Sequence, residues 1–169
     1  MVGKEPDIGP TAWVVAKNVE RLRTAQNMNM TQLSDRLRDA ANWAINAVGI
    51  RRIESGERRV TPDDLAALAV ALGVSPITLL MPAVVDKSDL VSVTGFDDVL
   101  TAEKLWDWLA AEDTLPQTTK QVRTVGPLTR MTFVAAACPP WVQERKRDEN
   151  VADLLAKLKD LGVGGIGDN

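Results

Sequence analysis

The chain has 169 residues, a mass of 18.4 kDa and a net charge of −3, enough for one ordinary domain or a small domain with an accessory region. It has no histidine and one cysteine, Cys138, which excludes Ser-His-Asp and Cys-His catalysis, an internal disulfide and a cysteine-rich metal cluster. We therefore expect no catalytic residues, no metal site and no cofactor. The first ten residues lack the apolar core of a signal peptide, and no run of about 18 apolar residues could span a bilayer. A cytoplasmic location without membrane contact is expected.

Basic residues are concentrated in the first third of the chain. Residues 11–62 contain nine Lys or Arg and five Asp or Glu, a local charge of +4, which leaves −7 for the remainder. Four of these arginines surround Gly56 in the stretch RRIESGERRV: Arg51, Arg52, Arg58 and Arg59. An acidic protein with one basic lobe would focus any attraction for nucleic acid on that lobe.

Two helices are predicted first. The first begins near Pro10 and ends near Asn27, and its apolar residues repeat at i, i+4 and i+7: Val15, Val19 and Leu22. The second has Asn29 as its N-cap, because Gln32 then completes a capping box. The same register lets Met28 pack against Leu33 as a hydrophobic staple.

A third helix is predicted from Asn46, as N-cap, to Gly56, which can adopt the left-handed conformation that ends a helix. Gly49 in its first turn weakens the helix by about 1 kcal/mol relative to alanine, but it also lets another group approach closely. The segment RDAANWAIN before it forms a longer turn or extends the second helix. Trp43 in this segment is interpreted as a core residue that fills the space beneath the turn, with an outward-facing wedge as the less favoured alternative.

The fourth and fifth helices have the clearest start signals. Thr61 is the predicted N-cap of the fourth, with Pro62 and Asp64 as its first and third residues and Gly73 beyond its end. Ser75 and Pro76 repeat the pattern for the fifth helix, which ends at Pro82. Five short helices cannot bury their apolar faces singly, so we expect one small shared core within residues 11–82.

The pattern loosens after this region. Residues 83–98 are predicted to be a linker or to contain one short strand around LVSV. Residues 99–162 are predicted to form a smaller accessory or oligomerisation region, mostly helical and irregular, and residues 163–169 a flexible tail. A helix follows Thr101, with Trp106 and Trp108 in a small core, whereas RMTFVAAA, residues 130–137, is interpreted as a strand within an extended loop.

A final helix is predicted before Gly162. Its apolar residues form one narrow stripe: Val151, Leu154, Leu155, Leu158 and Leu161. The stripe either docks on the second half of its own chain or pairs with a second copy.

Residues 13–82 resemble the Cro/CI-type helix-turn-helix repressors, the XRE family. Four segments carry the resemblance in order: NVERLR, Leu33-Ser34 with Leu37, IRRIESGERR, and LAALAVALGVSPITLL. The resemblance implies a mainly α fold, with an N-terminal five-helix domain like that of lambda repressor. It covers roughly 40% of the chain.

The resemblance also implies where DNA would be contacted, because the family places its third helix in the major groove. The implied base-contacting residues are Asn46, Ala47, Val48, Arg51 and Arg52. The implied phosphate-contacting residues are Asn29, Thr31, Gln32, Arg58 and Arg59. Arg23 and Glu54 match a structural ion pair of the family. The chain departs from the family at Ala47, Val48 and Met30, where polar residues are common.

The leading hypothesis is a sequence-specific double-stranded DNA-binding regulator, a phage- or prophage-type repressor that occludes an operator as a homodimer. The alternative is a protein-interaction module, antitoxin-like or antirepressor-like, that binds a protein partner through its C-terminal region. An enzyme is not expected. A self-cleaving repressor needs a Ser–Lys pair in a β-rich domain and a cleavable Ala-Gly bond, and the linker contains no such dipeptide.

Overall fold

A computed structural model describes residues 8–117 and 119–160. Over these residues the chain is mainly helical, as predicted, and it divides after Ala110 into two compact units. None of the helices described is both long and apolar enough to cross a membrane.

The first unit begins with the five predicted helices: α1 Pro10–Ala25, α2 Met30–Ala41, α3 Ala47–Glu54, α4 Pro62–Leu72 and α5 Pro76–Leu80. The predicted N-caps are confirmed, because the side chains of Asn29, Asn46, Thr61 and Ser75 each accept a hydrogen bond from an amide of the first turn. The segment before α3 extends α2 as far as Ala41. Asn42, with a φ of 48°, then ends that helix.

The five helices enclose one apolar core. Helix α1 packs against α5 and α3, and α2 packs against α3 and α4. The largest apolar side chains of this core that are fully buried come from all five helices and the turn before α3: Val19, Leu33, Leu37, Ile45, Ile50, Ile53, Leu68 and Leu79. The predicted staple residues Met28 and Leu33 both lie in this core.

A buried amide attaches α5 to α1. Asn18 is 2% exposed, and its Nδ2 lies 2.7–3.2 Å from the carbonyl oxygens of Thr78, Leu79 and Met81. Its Oδ1 accepts hydrogen bonds from Arg21. The polar atoms of Asn18 and the last carbonyls of a helix of only five residues are thereby satisfied inside the protein.

Residues 83–110 also belong to the first unit, so the boundary expected at residue 82 falls inside it. Strands β1 Leu90–Val91 and β2 Leu100–Thr101 pair antiparallel and lead into α6 Ala102–Leu109, which Thr101 caps as predicted. Thr94 joins this segment to α1, because its hydroxyl accepts from the amide of Thr11 and its amide donates to the Thr11 hydroxyl.

The predicted tryptophan core around α6 is wrong for Trp106, which is 48% exposed. Leu100 and Leu105 are buried there instead.

The second unit contains α7 Thr119–Val125, α8 Arg130–Ala137 and α9 Pro140–Asp160. The strand predicted at residues 130–137 is wrong, because Thr129 and Thr132 form a capping box that starts a helix there. Of the predicted stripe on α9, Val151 and Leu155 are exposed. Leu161, Gly162 and the tail 163–169 lie outside the described residues, as do the side chains of Leu154 and Leu158.

Candidate nucleic-acid interface

Helix α3 presents one exposed face to solvent. Val48, Arg51, Arg52 and Ser55 are exposed and follow the i, i+3, i+4, i+7 spacing of a single helical face. The opposite face is buried: Gly49, Ile50, Ile53 and Glu54. Neither Arg51 nor Arg52 forms an ion pair with any residue that the structure describes. Two guanidinium groups are therefore available on an otherwise fixed helix.

The start of α3 is shaped by Asn46 and Gly49. The side-chain oxygen of Asn46 accepts from the amide of Gly49 at 2.8 Å, which leaves the Asn46 amide hydrogens for an external partner. A Cβ on Gly49 would lie 3.0 Å from NH1 of Arg58 and 3.0 Å from Cγ2 of Ile45. The close approach expected at Gly49 is thus made by Arg58.

A buried carboxylate holds the turns on both sides of α3. Asp64, in the first turn of α4, is 2% exposed. Its Oδ1 accepts from the indole Nε1 of Trp43 at 2.8 Å, and its Oδ2 lies 3.0 Å from NH2 of Arg58. Trp43 precedes α3 and Arg58 follows it, so one carboxylate fixes both turns. We call this group, with Thr61, the Asp64 clamp.

The Asp64 clamp also caps α4. The amide of Thr61 donates to Oδ2 of Asp64, and the amide of Asp64 donates to the Thr61 hydroxyl. Burial raises the pKa of Asp64, but the hydrogen bonds from Trp43 and Thr61 and the charge of Arg58 outweigh it and hold the pKa below its ordinary value. The carboxylate is therefore ionised at neutral pH.

A second carboxylate anchors the C-terminal end of α3 to α1. Arg23 donates to Glu54 through Nε at 2.7 Å and through NH2 at 2.9 Å, and its NH1 donates to the carbonyl of Met28 at 2.6 Å. Both side chains are largely buried. The hydrogen bond to Glu54 raises the pKa of Arg23. The structure thus brings together the two residues of the implied ion pair.

The N-terminus of α2 offers a second set of polar groups. Asn29, Thr31 and Gln32 are all exposed. The oxygens of Asn29 and Gln32 are used in a reciprocal capping box, at 2.9 and 2.8 Å. Their side-chain amide hydrogens and the free amides of the first turn can still donate outward, which suits an anion such as phosphate.

The arginines after α3 lie in two different environments. Gly56 has a φ of 77°, as predicted, and a Cβ there would lie 2.7 Å from Trp13. Beyond this turn, Arg58 is half-buried against Asp64, whereas Arg59 is exposed. Arg58 thus has a structural partner and, with five N–H donors, others left for an outside group.

Two features of the site differ from, or were missing in, the sequence interpretation. Trp43 is not a core residue, because it is 37% exposed and anchored through its indole N–H. Arg38 was not singled out, yet it lines a surface depression together with Asn46 at the start of α3. Arg38 lies in the last helical turn of α2, shortly before the loop that leads into α3. This position in the sequence is the signal that could have identified it.

We predict that Asp64→Asn destabilises the protein by about 2 kcal/mol at neutral pH, because an amide cannot accept from Trp43, Thr61 and Arg58 together. Because folding lowers the pKa of Asp64, its stabilisation is present at neutral pH and is lost as the pH falls below about 4. Urea unfolding at pH 7 and pH 3 measures both effects. The difference between the variant and the parent should shrink at pH 3.

The neighbouring Asp63→Asn is the matched control, since Asp63 is exposed on the same turn. It should leave the free energy of unfolding nearly unchanged at pH 7. An equal effect of the two substitutions would contradict the clamp.

In a comparison with protein families, residues 19–79 fit a family model described as helix-turn-helix. Neither the curated proteins nor the solved structures contain a match to the chain. The matched segment includes α2, α3 and α4, with the exposed face of α3 and both of its anchoring carboxylates. Residues 19–79 therefore form a helix-turn-helix domain, and the match supports a DNA-binding transcription regulator of the XRE type.

Proposed function

We propose that the protein is a sequence-specific repressor of double-stranded DNA targets, of the phage or prophage type, and that it acts by occluding an operator. The observation that carries the proposal is the one-sided exposure of α3. Its outward face carries two arginines, while its inward face and both adjoining turns are held by buried groups. A rigid helix with donors on one face suits the major groove.

Base recognition would centre on Arg52 and Arg51. A guanidinium group can donate two hydrogen bonds to O6 and N7 of guanine, which is the commonest specific contact in the major groove. Val48, which is 52% exposed, and the half-buried Ala47 can offer apolar contacts to thymine methyl groups. The free amide hydrogens of Asn46 can donate to a base edge or a phosphate at the start of the helix.

Phosphate contacts would come from two places on either side of this helix. Asn29, Thr31 and Gln32 present donors at the N-terminus of α2. Arg58 and Arg59 lie in the turn after α3, where Asp64 fixes the direction of the Arg58 guanidinium. Pre-orientation by a buried carboxylate lowers the entropy that Arg58 would lose on binding phosphate.

We further propose that the protein binds as a homodimer through its second unit. Among the described residues of that unit, only Cys138 is both apolar and buried. Four large apolar side chains are at least half exposed: Met131, Trp141, Val151 and Leu155. The described residues of this unit bury little apolar surface and expose much more of it, and a second copy would cover that exposed surface. Two copies would seat two α3 helices in successive major grooves.

Selection of bound duplexes from a random DNA pool tests the proposal. We expect a two-fold symmetric motif whose half-sites lie about 34 Å apart, one helical turn, and binding that weakens steeply as salt rises. Gel shift with genomic fragments at two salt concentrations gives an independent readout. Absence of salt-sensitive binding would favour the protein-interaction module, antitoxin-like or antirepressor-like, over a DNA-binding repressor.

Replacing Arg52 with alanine should weaken binding to the selected duplex by about 1–3 kcal/mol and relax the preference at one base pair of each half-site. The fold should remain intact, since Arg52 is exposed and without an ion pair among described residues. Titration against duplexes that vary one base pair at a time measures the effect.

Lys87→Ala is the control, an exposed cation outside the helix-turn-helix segment whose ion pair with Glu103 is itself exposed. It should leave the preference unchanged. A uniform loss at every sequence in Arg52→Ala would assign this residue to phosphate contact and contradict base reading.

A further inference from the structure

A surface depression with a volume of about 260 Å³ lies between α2 and the turn that leads into α3. Five residues line it: Ser34 and Arg38 on α2, Ala44 and Ile45 in the turn, and Asn46 at the start of α3. Ser34 and Arg38 are four positions apart and therefore lie on the same side of α2. The depression adjoins the helix that is proposed to enter the major groove, and of the residues implied to contact DNA it includes only Asn46.

The polar side chains of the depression can all donate hydrogen bonds. Arg38 has a guanidinium group with five N–H donors. The side-chain oxygen of Asn46 accepts from the amide of Gly49, which leaves the Asn46 amide hydrogens for an external partner. The Ser34 hydroxyl has no hydrogen-bond partner among the residues that the structure describes. No described lining residue is acidic, so the depression suits an anion that accepts several hydrogen bonds, such as a phosphate group.

Arg38 already has one partner, and that partner is weakly held. The NH2 of Arg38 donates to Oδ1 of Asp35, three positions earlier on α2. The Arg38 side chain is 63% exposed and the Asp35 side chain 53% exposed. An ion pair with this exposure contributes little to stability, because water and salt screen it. Asp35 is not among the lining residues, so Arg38 can exchange this carboxylate for an anion that occupies the depression.

We propose that the depression binds one phosphate of the DNA backbone, and that this phosphate replaces Asp35 as the partner of Arg38. The proposal rests on the proposed function, and it adds a phosphate contact to those at the N-terminus of α2 and after α3. Arg38 lies near the opposite end of α2 from Gln32, about 9 Å away along the helix axis. We therefore assign it a phosphate of its own.

The exchange of partners determines how much Arg38 adds to DNA affinity. In the free protein its charge is partly compensated by Asp35, so a phosphate gains less from Arg38 than it would from an arginine without a carboxylate partner. Loss of the charge at position 38 should weaken DNA binding, and loss of the charge at position 35 should strengthen it. Neither change should alter the base preference, because phosphate contacts carry no sequence information.

Titration of the selected duplex at several salt concentrations tests the contact. Arg38→Gln should weaken binding about tenfold and lower the slope of log affinity against log salt by about one per bound chain. Arg36→Gln is the matched control, since Arg36 is exposed on the same helix, donates to Gln26 and does not line the depression. It should keep the slope of the parent. Equal slopes in the two variants would overturn the contact.

Duplexes in which one phosphate at a time is replaced by a neutral methylphosphonate locate the contact. One such replacement in each half-site should weaken binding of the parent and of Arg36→Gln about tenfold. The same replacement should leave Arg38→Gln nearly unaffected, because that variant has already lost the interaction. Losses in Arg38→Gln that equal those of the parent at every position would overturn the contact. A changed base preference in Arg38→Gln would assign Arg38 to a base edge and would overturn it as well.

The exchange with Asp35 is tested by neutralising that carboxylate. Asp35→Asn should strengthen duplex binding about threefold more than Asp39→Asn, the matched control, since Asp39 is exposed on the same helix and Asp35 is the partner of Arg38. Equal gains in the two variants would overturn the exchange and leave the phosphate contact standing. A parent chain that binds no duplex would refute the proposed function and this contact with it. Duplex binding in which Arg38→Gln behaves as Arg36→Gln does would refute the contact alone.

Discussion

The buried carboxylate of Asp64 is the constraint on which the geometry of α3 depends. It accepts from Trp43 before the helix and from Arg58 after it, and it caps α4 at the same time. A buried charge costs several kcal/mol unless its hydrogen bonds are made. The folded protein therefore keeps Trp43 and Arg58 within hydrogen-bonding distance of Asp64, which fixes the turns before and after α3. Glu54 adds a third attachment, through Arg23, at the C-terminal end of the helix.

The residues that fix the position of α3 are different from those that are proposed to contact DNA bases. The groups that hold α3 lie on its inner side or in its flanking turns, whereas Arg51 and Arg52 on its outer side have no ionic partner among the described residues. Because the helix backbone is already fixed, binding orders only the exposed side chains and little backbone entropy is lost. The proposed base-contacting residues Arg51 and Arg52 could therefore be exchanged without disturbing the fold, whereas Arg58 serves the fold and the proposed phosphate contact together.

Local signals made the first five helices predictable. Asn29, Asn46 and Thr61 each cap their helix through the residue three positions further on, and Gly56 and Gly73 adopt the left-handed conformations that end helices. The clamp was not predictable, because it joins Trp43, Arg58 and Asp64 across turns, and the Thr11–Thr94 pair joins residues 83 positions apart. Residues 130–137 are predicted to be a strand but form a helix, because a short apolar run does not distinguish the two. The capping box of Thr129 and Thr132 is the local signal that indicates the helix.

The central claim is that the outer face of α3 enters a DNA groove, and a tethered cleavage reagent tests it most directly. Iron–EDTA attached to Val48→Cys should cut a selected duplex at a few adjacent base pairs of each half-site, because Val48 lies on the proposed groove-facing side. The same reagent at Ala25→Cys, exposed at the end of α1, should cut weakly and without a defined position. Strong local cleavage from position 25 and none from position 48 would contradict the account.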